Sequence, residues 1–269
     1  MPKNVADHPA EPLDGIGPQE LGGEAPAALG PEVDDRPGHP PLRRPMHGRV
    51  VSVEPLSAAI HGNHLYAASH GPDRERLWRY LPERPFSSRE AFLECLAEWE
   101  RSADPLFFAI VDNLSRTAVG MAAYLRFELA HRSIEVGQIL YSAALQRTRG
   151  ATEAMYLMAR GAFEEMGNRR YEWKCDALNQ PSRRAALRLG FRFEGVFRQH
   201  RIVKGRNRDT AWYSMLDSEW PERRTAFEFW LQESNFDSGG RQKRSLAVMN
   251  RCAQTAAASA PDRTDADRP

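Results

Sequence analysis

The stretch IEVGQILYSAALQRTRGATEAMYLMARGAFEEMGNRRYEWKCDALNQPSRRAALRLGF, residues 134–191, carries the pattern that decides the fold. Ile134 to Tyr141 reads as a strand. The polar turn Gln146 to Ala151 follows, then a helix to about Met166. In that helix Ala151, Met155, Met158, Ala162 and Met166 line one stripe, and Gly167 supplies a stop. Tyr171 to Ala177 alternates strictly between apolar and polar residues, the mark of a half-buried strand. Asn179-Gln180-Pro181-Ser182 opens a second helix with proline in its first turn. Ala185, Ala186 and Leu189 give it an apolar face, and Gly190 ends it.

Outward from this centre, Phe191, Phe193 and Phe197 continue as strand. Lys204 to Asn207 makes a hairpin turn into a strand from Trp212 to Leu216. Upstream, Val50, Val51 and Val53 open a strand, and residues 57–69 and 88–101 read as helices. In the second of these Phe92, Leu93, Leu96 and Trp99 recur at helical steps, with Ser87 or Ser88 as N-cap. Leu106 to Val111 and Ala118 to Leu125 are strands about a turn at Asp112-Asn113. The order predicts one mixed α/β domain over residues 48–232.

Both flanks read differently. Ten of the 19 prolines fall between Pro2 and Pro45, so residues 1–47 are predicted to be a disordered Pro/Gly-rich tail that cannot offset its ordering entropy. Residues 233–269 are predicted to be a flexible C-terminal tail. The helical spacing of Leu246, Met249 and Asn250 allows a short helix within it, too short to fold alone.

Lysine plus arginine (37) nearly balance aspartate plus glutamate (36), so no bulk field draws the chain to nucleic acid or to an anionic membrane. No apolar run approaches the roughly 18 residues of a membrane span, and the N-terminus lacks the apolar core of a secretory signal. Cys95, Cys175 and Cys252 form no CxxC pair, which speaks against a disulfide framework or a cysteine-based metal site and suits a reducing compartment. A cytoplasmic protein without metal is the expectation. The sequence carries no signature of a particular oligomeric state.

A helix start offers unpaired N–H groups and partial positive charge, a ready site for phosphate. Gln146 to Ala151 occupies that place, where Arg147 and Arg149 add charge and Gly150 and Ala151 permit close approach to the backbone.

These residues resemble the GNAT superfamily of acetyltransferases, whose phosphate-binding motif is Q/R-x-x-G-x-G/A at a helix start. Asn179-x-x-Ser182, the helix after it and Leu189-Gly190-Phe191 resemble the next motif of that superfamily. The spelling of residues 172–200 and 204–216 is most similar to the RimJ/RimL-type branch, the ribosomal-protein alanine N-acetyltransferases and their relatives. The resemblance spans roughly Gly48 to Pro221. One departure stands out: Arg149 occupies the first glycine position, with Gly150 beside it and Ala151 in the last position.

The resemblance implies a mixed, mostly antiparallel central sheet flanked by helices and splayed between two central strands. It implies acetyl-CoA as co-substrate and no metal. Pantetheine would pair with backbone at Ile139, Leu140 and Tyr141. The pyrophosphate would rest on Gln146, Arg147, Thr148, Arg149, Gly150, Ala151 and Thr152. Asn179 would reach the pantetheine arm and Ser182 the sulfur.

The implied reaction is direct attack of an amine on the thioester. Amines attack only when neutral, and a lysine ε-amine of pKa about 10.4 needs more help than an α-amine near 8. Glu135 is the first candidate base, working through water, with a backbone N–H near Ile139 or Leu140 for the oxyanion. Ser182 can protonate or relay to the departing thiolate. Where other family members are described with a tyrosine acid, Ala186 stands near that place.

Plainer readings sit beside these. Glu135 can be an ion-paired strand residue, Ser182 and Asn179 helix caps, and Tyr141 and Cys175 packing. Trp78, Arg79, Tyr80 and His200 can wall the acceptor pocket or do nothing specific. Three functions fit: acetyl transfer to a primary amine, on a protein N-terminus or a small molecule; detoxification of an aminoacyl-type antimicrobial or metabolite; or a silent CoA-binding module.

Overall fold

The computed structural model describes residues 29–251; the expectations for residues 1–28 and 252–269 lie outside these. Eight strands form one sheet in the order β1-β2-β3-β4-β5-β6-β8-β7. They are β1 (Met46–His47), β2 (Val51–Pro55), β3 (Leu106–Asp112), β4 (Ala118–Glu128), β5 (Ser133–Tyr141), β6 (Arg170–Asp176), β7 (Arg192–Val203) and β8 (Arg206–Leu216). Neighbours run antiparallel except β5 and β6, which run parallel. A parallel pair needs a crossover, and α4 (Arg149–Arg160) provides it.

On one face of the sheet α4, α5 (Gln180–Leu189) and α6 (Trp220–Leu231) enclose the larger core. Met155, Met158, Tyr171, Trp173, Tyr213 and Phe227 lie at its centre. On the other face α1 (Ala58–Ser69), α2 (Arg74–Trp78) and α3 (Arg89–Arg101) cover β3 and β4 through Leu65, Trp78, Phe92, Leu96 and Phe107. Each such side chain contributes about 1.5–3 kcal/mol on burial. Among the described residues no helix is long and apolar enough to cross a membrane.

The helices and strands that periodicity marked are present with local differences, while β1, α2 and α6 carried no such mark. Helix α4 begins at Arg149, capped by the Thr148 side chain, and its predicted last turn is a π-helical stretch, Gly161–Glu165. The Tyr124 hydroxyl donates to the Met158 carbonyl at 2.5 Å just before that stretch. The side chain thus engages a carbonyl of the helix's own ladder, the kind of intrusion that distorts a helix. Both turn residues of the β7–β8 hairpin, Lys204 and Gly205, have positive φ (53° and 76°), as a two-residue turn of the favoured twist requires.

Ordered contacts extend beyond residues 48–232 at both ends. Gly38 N–H donates to the Leu129 carbonyl and His39 N–H to the Met166 carbonyl, both at 2.9 Å. Met46 pairs with Val53 and is buried in the larger core. Proline-rich composition hides this because backbone hydrogen bonds such as those of Gly38 and His39 need no apolar side chains. At the other end residues 246–251 are helical and Leu246 is fully buried. Polar side chains fix the intervening chain: Trp230 Nε1 donates to Gln242 Oε1 (2.7 Å), and Arg244 N–H donates to Asn235 Oδ1 (3.0 Å). Hydropathy cannot register such contacts.

Candidate active site

Strand β5 pairs with β4 along most of its length, but with β6 only from Ser133↔Arg170 to Val136↔Trp173. The two strands then part. The cause lies in β5 itself: Gln138 is left-handed (φ 52°), and the register slips between Ala123↔Gly137 and Met121↔Leu140. One extra residue on β5 makes a bulge, which bends the strand and reverses its alternation. Ile134 and Val136 accordingly lie in the core under α4, whereas Leu140 lies in the core under α1–α3. A left-handed glutamine costs about 1–2 kcal/mol. The result is a backbone from Gly137 to Tyr141 whose edge toward β6 is unpaired.

The loop after β5 is tied down before α4 begins. Gln146 N–H donates to the Ser142 carbonyl (3.0 Å), and Leu145 is buried. The Gln146 side chain turns back and donates to the Tyr141 carbonyl (2.8 Å), which makes it a brace of this loop. The Tyr141 hydroxyl donates to the Ala151 carbonyl (3.1 Å) and joins strand end to helix start; burial pushes its pKa well up. Arg147 is exposed and left-handed (φ 64°). Thr148 Oγ1 accepts from Ala151 N–H (3.2 Å). Helix geometry leaves the N–H groups of Arg149 and Gly150 without intrahelical acceptors.

A diphosphate fits this helix start as a backbone site, with differences from the sequence reading. The Arg149 guanidinium is engaged elsewhere, donating to the Leu231 carbonyl and lying 4.9 Å from the Phe236 ring centre. Its charge therefore serves the C-terminal segment. Gly150 faces the sheet: a Cβ there would lie 2.8 Å from Val51 Cγ1, so glycine is needed for helix–strand packing. Thr152 is buried and accepts from Arg188 Nη1 (3.0 Å).

Glu135 is 3 % exposed, on the face of β5 turned away from α4. Its Oε2 lies 2.5 Å from Arg126 Nη1 and 3.0 Å from Lys174 Nζ. Lys174, its side chain 6 % exposed, also pairs with Glu172 Oε2 at 2.6 Å. It lies 3.8 Å from the Trp212 ring centre. The chain of charges continues through Glu172–Arg170 (2.6 Å) to Glu194, whose carboxyl Arg170 holds below its usual range.

Ser182 lies on the opposite face. Its Oγ accepts from Trp173 Nε1 (3.0 Å), and its backbone N–H donates to Asn179 Oδ1 (3.2 Å). Asn179 is thus the N-cap of α5. Cys175 sits in the core, where burial pushes its thiol up. Ala186 is fully buried. Lys204 Nζ donates to the Trp78 carbonyl (2.7 Å) and the Tyr80 hydroxyl to the Leu178 carbonyl (3.2 Å), so α2 and the loop after it meet both the hairpin tip and the β6–α5 turn.

Sequence reasoning passed over Arg126, Lys174 and Trp212. The polar positions of an alternating strand are normally solvated, and only cross-strand register brings these three together. Glu153 was also missed. It is 3 % exposed and accepts from the backbone N–H groups of Arg49, Val50 and Val51 at 2.8, 2.6 and 2.9 Å, holding the β1–β2 turn onto α4. Among the described residues no group of three or more His, Cys, Asp or Glu is placed to hold a metal.

An opened parallel strand pair with a helix start at its mouth, a buried carboxylate on one sheet face and a half-buried hydroxyl on the other are features that suit an α/β acyltransferase. The comparisons agree. Residues 54–192 match the family model described as an acetyltransferase (GNAT) domain. A GCN5-related N-acetyltransferase from Brucella melitensis is 47 % identical, with TM-score 0.79 over 80 % of this chain and 98 % of its own. A probable acetyltransferase of the GNAT family from Chromobacterium violaceum ATCC 12472 is 40 % identical, with TM-score 0.67 over 74 % of this chain and 100 % of its own. The uncharacterized N-acetyltransferase YnaD of Bacillus subtilis (strain 168) is 25 % identical over 143 residues, covering 53 % of this chain and 81 % of YnaD. The chain belongs to the GNAT acetyltransferase family and is an acetyl-CoA-dependent N-acetyltransferase.

Proposed function

We propose that the acceptor is a primary amine, either a protein N-terminal α-amine or the amine of a small molecule, and that it attacks the thioester directly. One observation carries this reading: at the point where β5 and β6 part, Glu135 lies on one sheet face and Ser182 on the other. The amine approaches from the Glu135 side, and its proton passes to that carboxylate through water. The new C–N bond forms as the C–S bond breaks. The thiolate leaves toward Ser182, whose hydroxyl accepts from Trp173 and keeps its own proton to donate. Free N–H groups between Gly137 and Tyr141 stabilise the oxyanion. The pantetheine arm would lie along the same open edge, and the α4 start from Arg147 to Ala151 would hold the pyrophosphate.

The spelling of residues 172–216 supports a place in the RimJ/RimL-type branch, and a cytoplasmic location goes with it. A panel of peptides and small amines, followed by release of free CoA and by product mass spectrometry, tests the reading. Acetylated primary amines are the expected products. Products acetylated on oxygen, or no product from any amine while CoA is demonstrably bound, would refute it.

A further inference from the structure

The chain of charges on the acceptor face is neutral in itself. Arg126, Lys174 and Arg170 are matched by Glu135, Glu172 and Glu194. Beside it, β7 and β8 add Arg198, Arg201 and Arg208. Arg208 lies in register with the polar face, at even steps from Trp212 along β8. No carboxylate lies within ion-pair distance of any of the three among the described residues. The nearest acid in sequence, Asp209, is committed to the hairpin. Its Oδ1 accepts from Gln199 N–H at 2.7 Å and from Asn207 Nδ2 at 3.0 Å. Arg208 is half-buried and its Nε has no acceptor. Asp176 is the carboxylate that acts on it most, but not in ion-pair contact, so an anionic ligand would supply the direct counter-charge that a half-buried cation lacks.

The backbone makes room for one. Strand β7 passes from Phe197↔Thr210 to Arg201↔Arg208, so two extra residues bulge outward, with Gln199 left-handed (φ 49°). An open cavity of about 670 Å³ lies there, lined by Phe197, Arg198, Gln199 and His200. The Phe197 ring lies 4.5 Å from that of Trp212, which carries Lys174, which reaches Glu135. A chain of side-chain contacts thus links the Phe197 edge of this cavity to Glu135. After burial, His200 is lowered by Arg201, Arg208, Arg126 and Lys174 together, and Arg208 feels Asp176 first among the carboxylates and Glu135 less.

We propose that the acceptor is an amine that also carries an anionic group, a carboxylate or a phosphate, which Arg201 and Arg208 hold while the amine reaches Glu135. This rests on the Glu135-side approach of the acceptor argued above. A charge-assisted contact of this kind separates a charged ligand from its neutral analogue by about tenfold or more.

The test titrates the CoA-saturated full-length protein by calorimetry with three probes: an N-acetyl dipeptide acid, its C-terminal amide, and N-acetylphosphoethanolamine. The acid or the phosphate, whichever is the native class, is expected to bind at least about tenfold tighter than the amide. Arg208→Ala and Arg201→Ala should shrink that preference, and Arg89→Ala on the exposed side of α3 should not, with circular dichroism confirming the fold of each. Equal binding of acid, amide and phosphate, or an unchanged preference in both cleft variants, overturns the inference. The free-amine counterparts of the probes are then offered with acetyl-CoA. Anion-selective binding without acetylation would leave the charge preference standing and sink the amine-transfer reading instead.

Discussion

Strand β6 presents two unlike faces within seven residues. Tyr171, Trp173 and Cys175 are packed under α4 and α5, while Glu172 and Lys174 join a run of charges from Arg126 to Glu194. Alternation alone produces this division. The apolar face fixes where the strands and α4 stand; the charged face supplies groups that can take or release protons. They communicate where β5 and β6 part. A reaction that must bring a base to one side of a carbonyl and a proton to the other has its geometry supplied by the sheet.

That division predicts which substitutions change rate and which change stability. The largest effect is expected for Glu135→Gln, which should lower kcat/KM by about 10²–10⁴, chiefly below the acceptor amine's pKa, with little loss of Tm because Lys174 keeps Glu172. A pH–rate profile unchanged in that variant would remove Glu135 as the base. Glu153→Ala is the counterpart on the other face, equally buried in the folded protein. Leaving three backbone N–H groups without their acceptor costs about 1–3 kcal/mol each at most, so urea unfolding should show a loss of several kcal/mol. Gly150→Ala should destabilise by about 1–3 kcal/mol through overpacking on Val51 and raise the KM for acetyl-CoA as the helix start shifts. Ser182→Ala should lower kcat by no more than about tenfold, since a thiolate of reference pKa near 8.5 needs little help to leave, and cost about 1–3 kcal/mol in unfolding because the buried Trp173 Nε1–H loses its acceptor.

The smallest effect is a pH dependence in the α1–α3 layer. Burial lowers the pKa of His70, whose Nε2 accepts from Phe86 N–H at 3.0 Å. The folded form therefore binds its proton less readily than the unfolded chain. Stability from this group is complete above the unfolded pKa of about 6.5 and falls as pH drops below it. Thermal melts between pH 7.5 and 5 should show the decline, with a shallower one in His70→Gln.

Much of the apolar face was legible in the sequence, because its signals are local: the alternation of β6, the stripe of α4, and glycine stops at Gly167 and Gly190, both with positive φ. The opening between β5 and β6 entered through family resemblance; the bulge at Gln138 that makes it has no local signature. The charged face was legible only at Glu135. Lys174 and Arg126 gain meaning from cross-strand register, and Arg149 turns toward Leu231 and Phe236, the latter in a segment whose composition reads as a tail. Polar contacts of long sequence separation leave no periodic trace, and they account for most of what was missed.

Hydrogen–deuterium exchange with and without acetyl-CoA bears most directly on the parted strands. Residues 133–136, hydrogen-bonded on both sides, should exchange slowly in either state, while 137–141 and 147–152 should gain protection when acetyl-CoA binds. Protection confined to other segments, or slow exchange across 137–141 before ligand is added, would contradict the account.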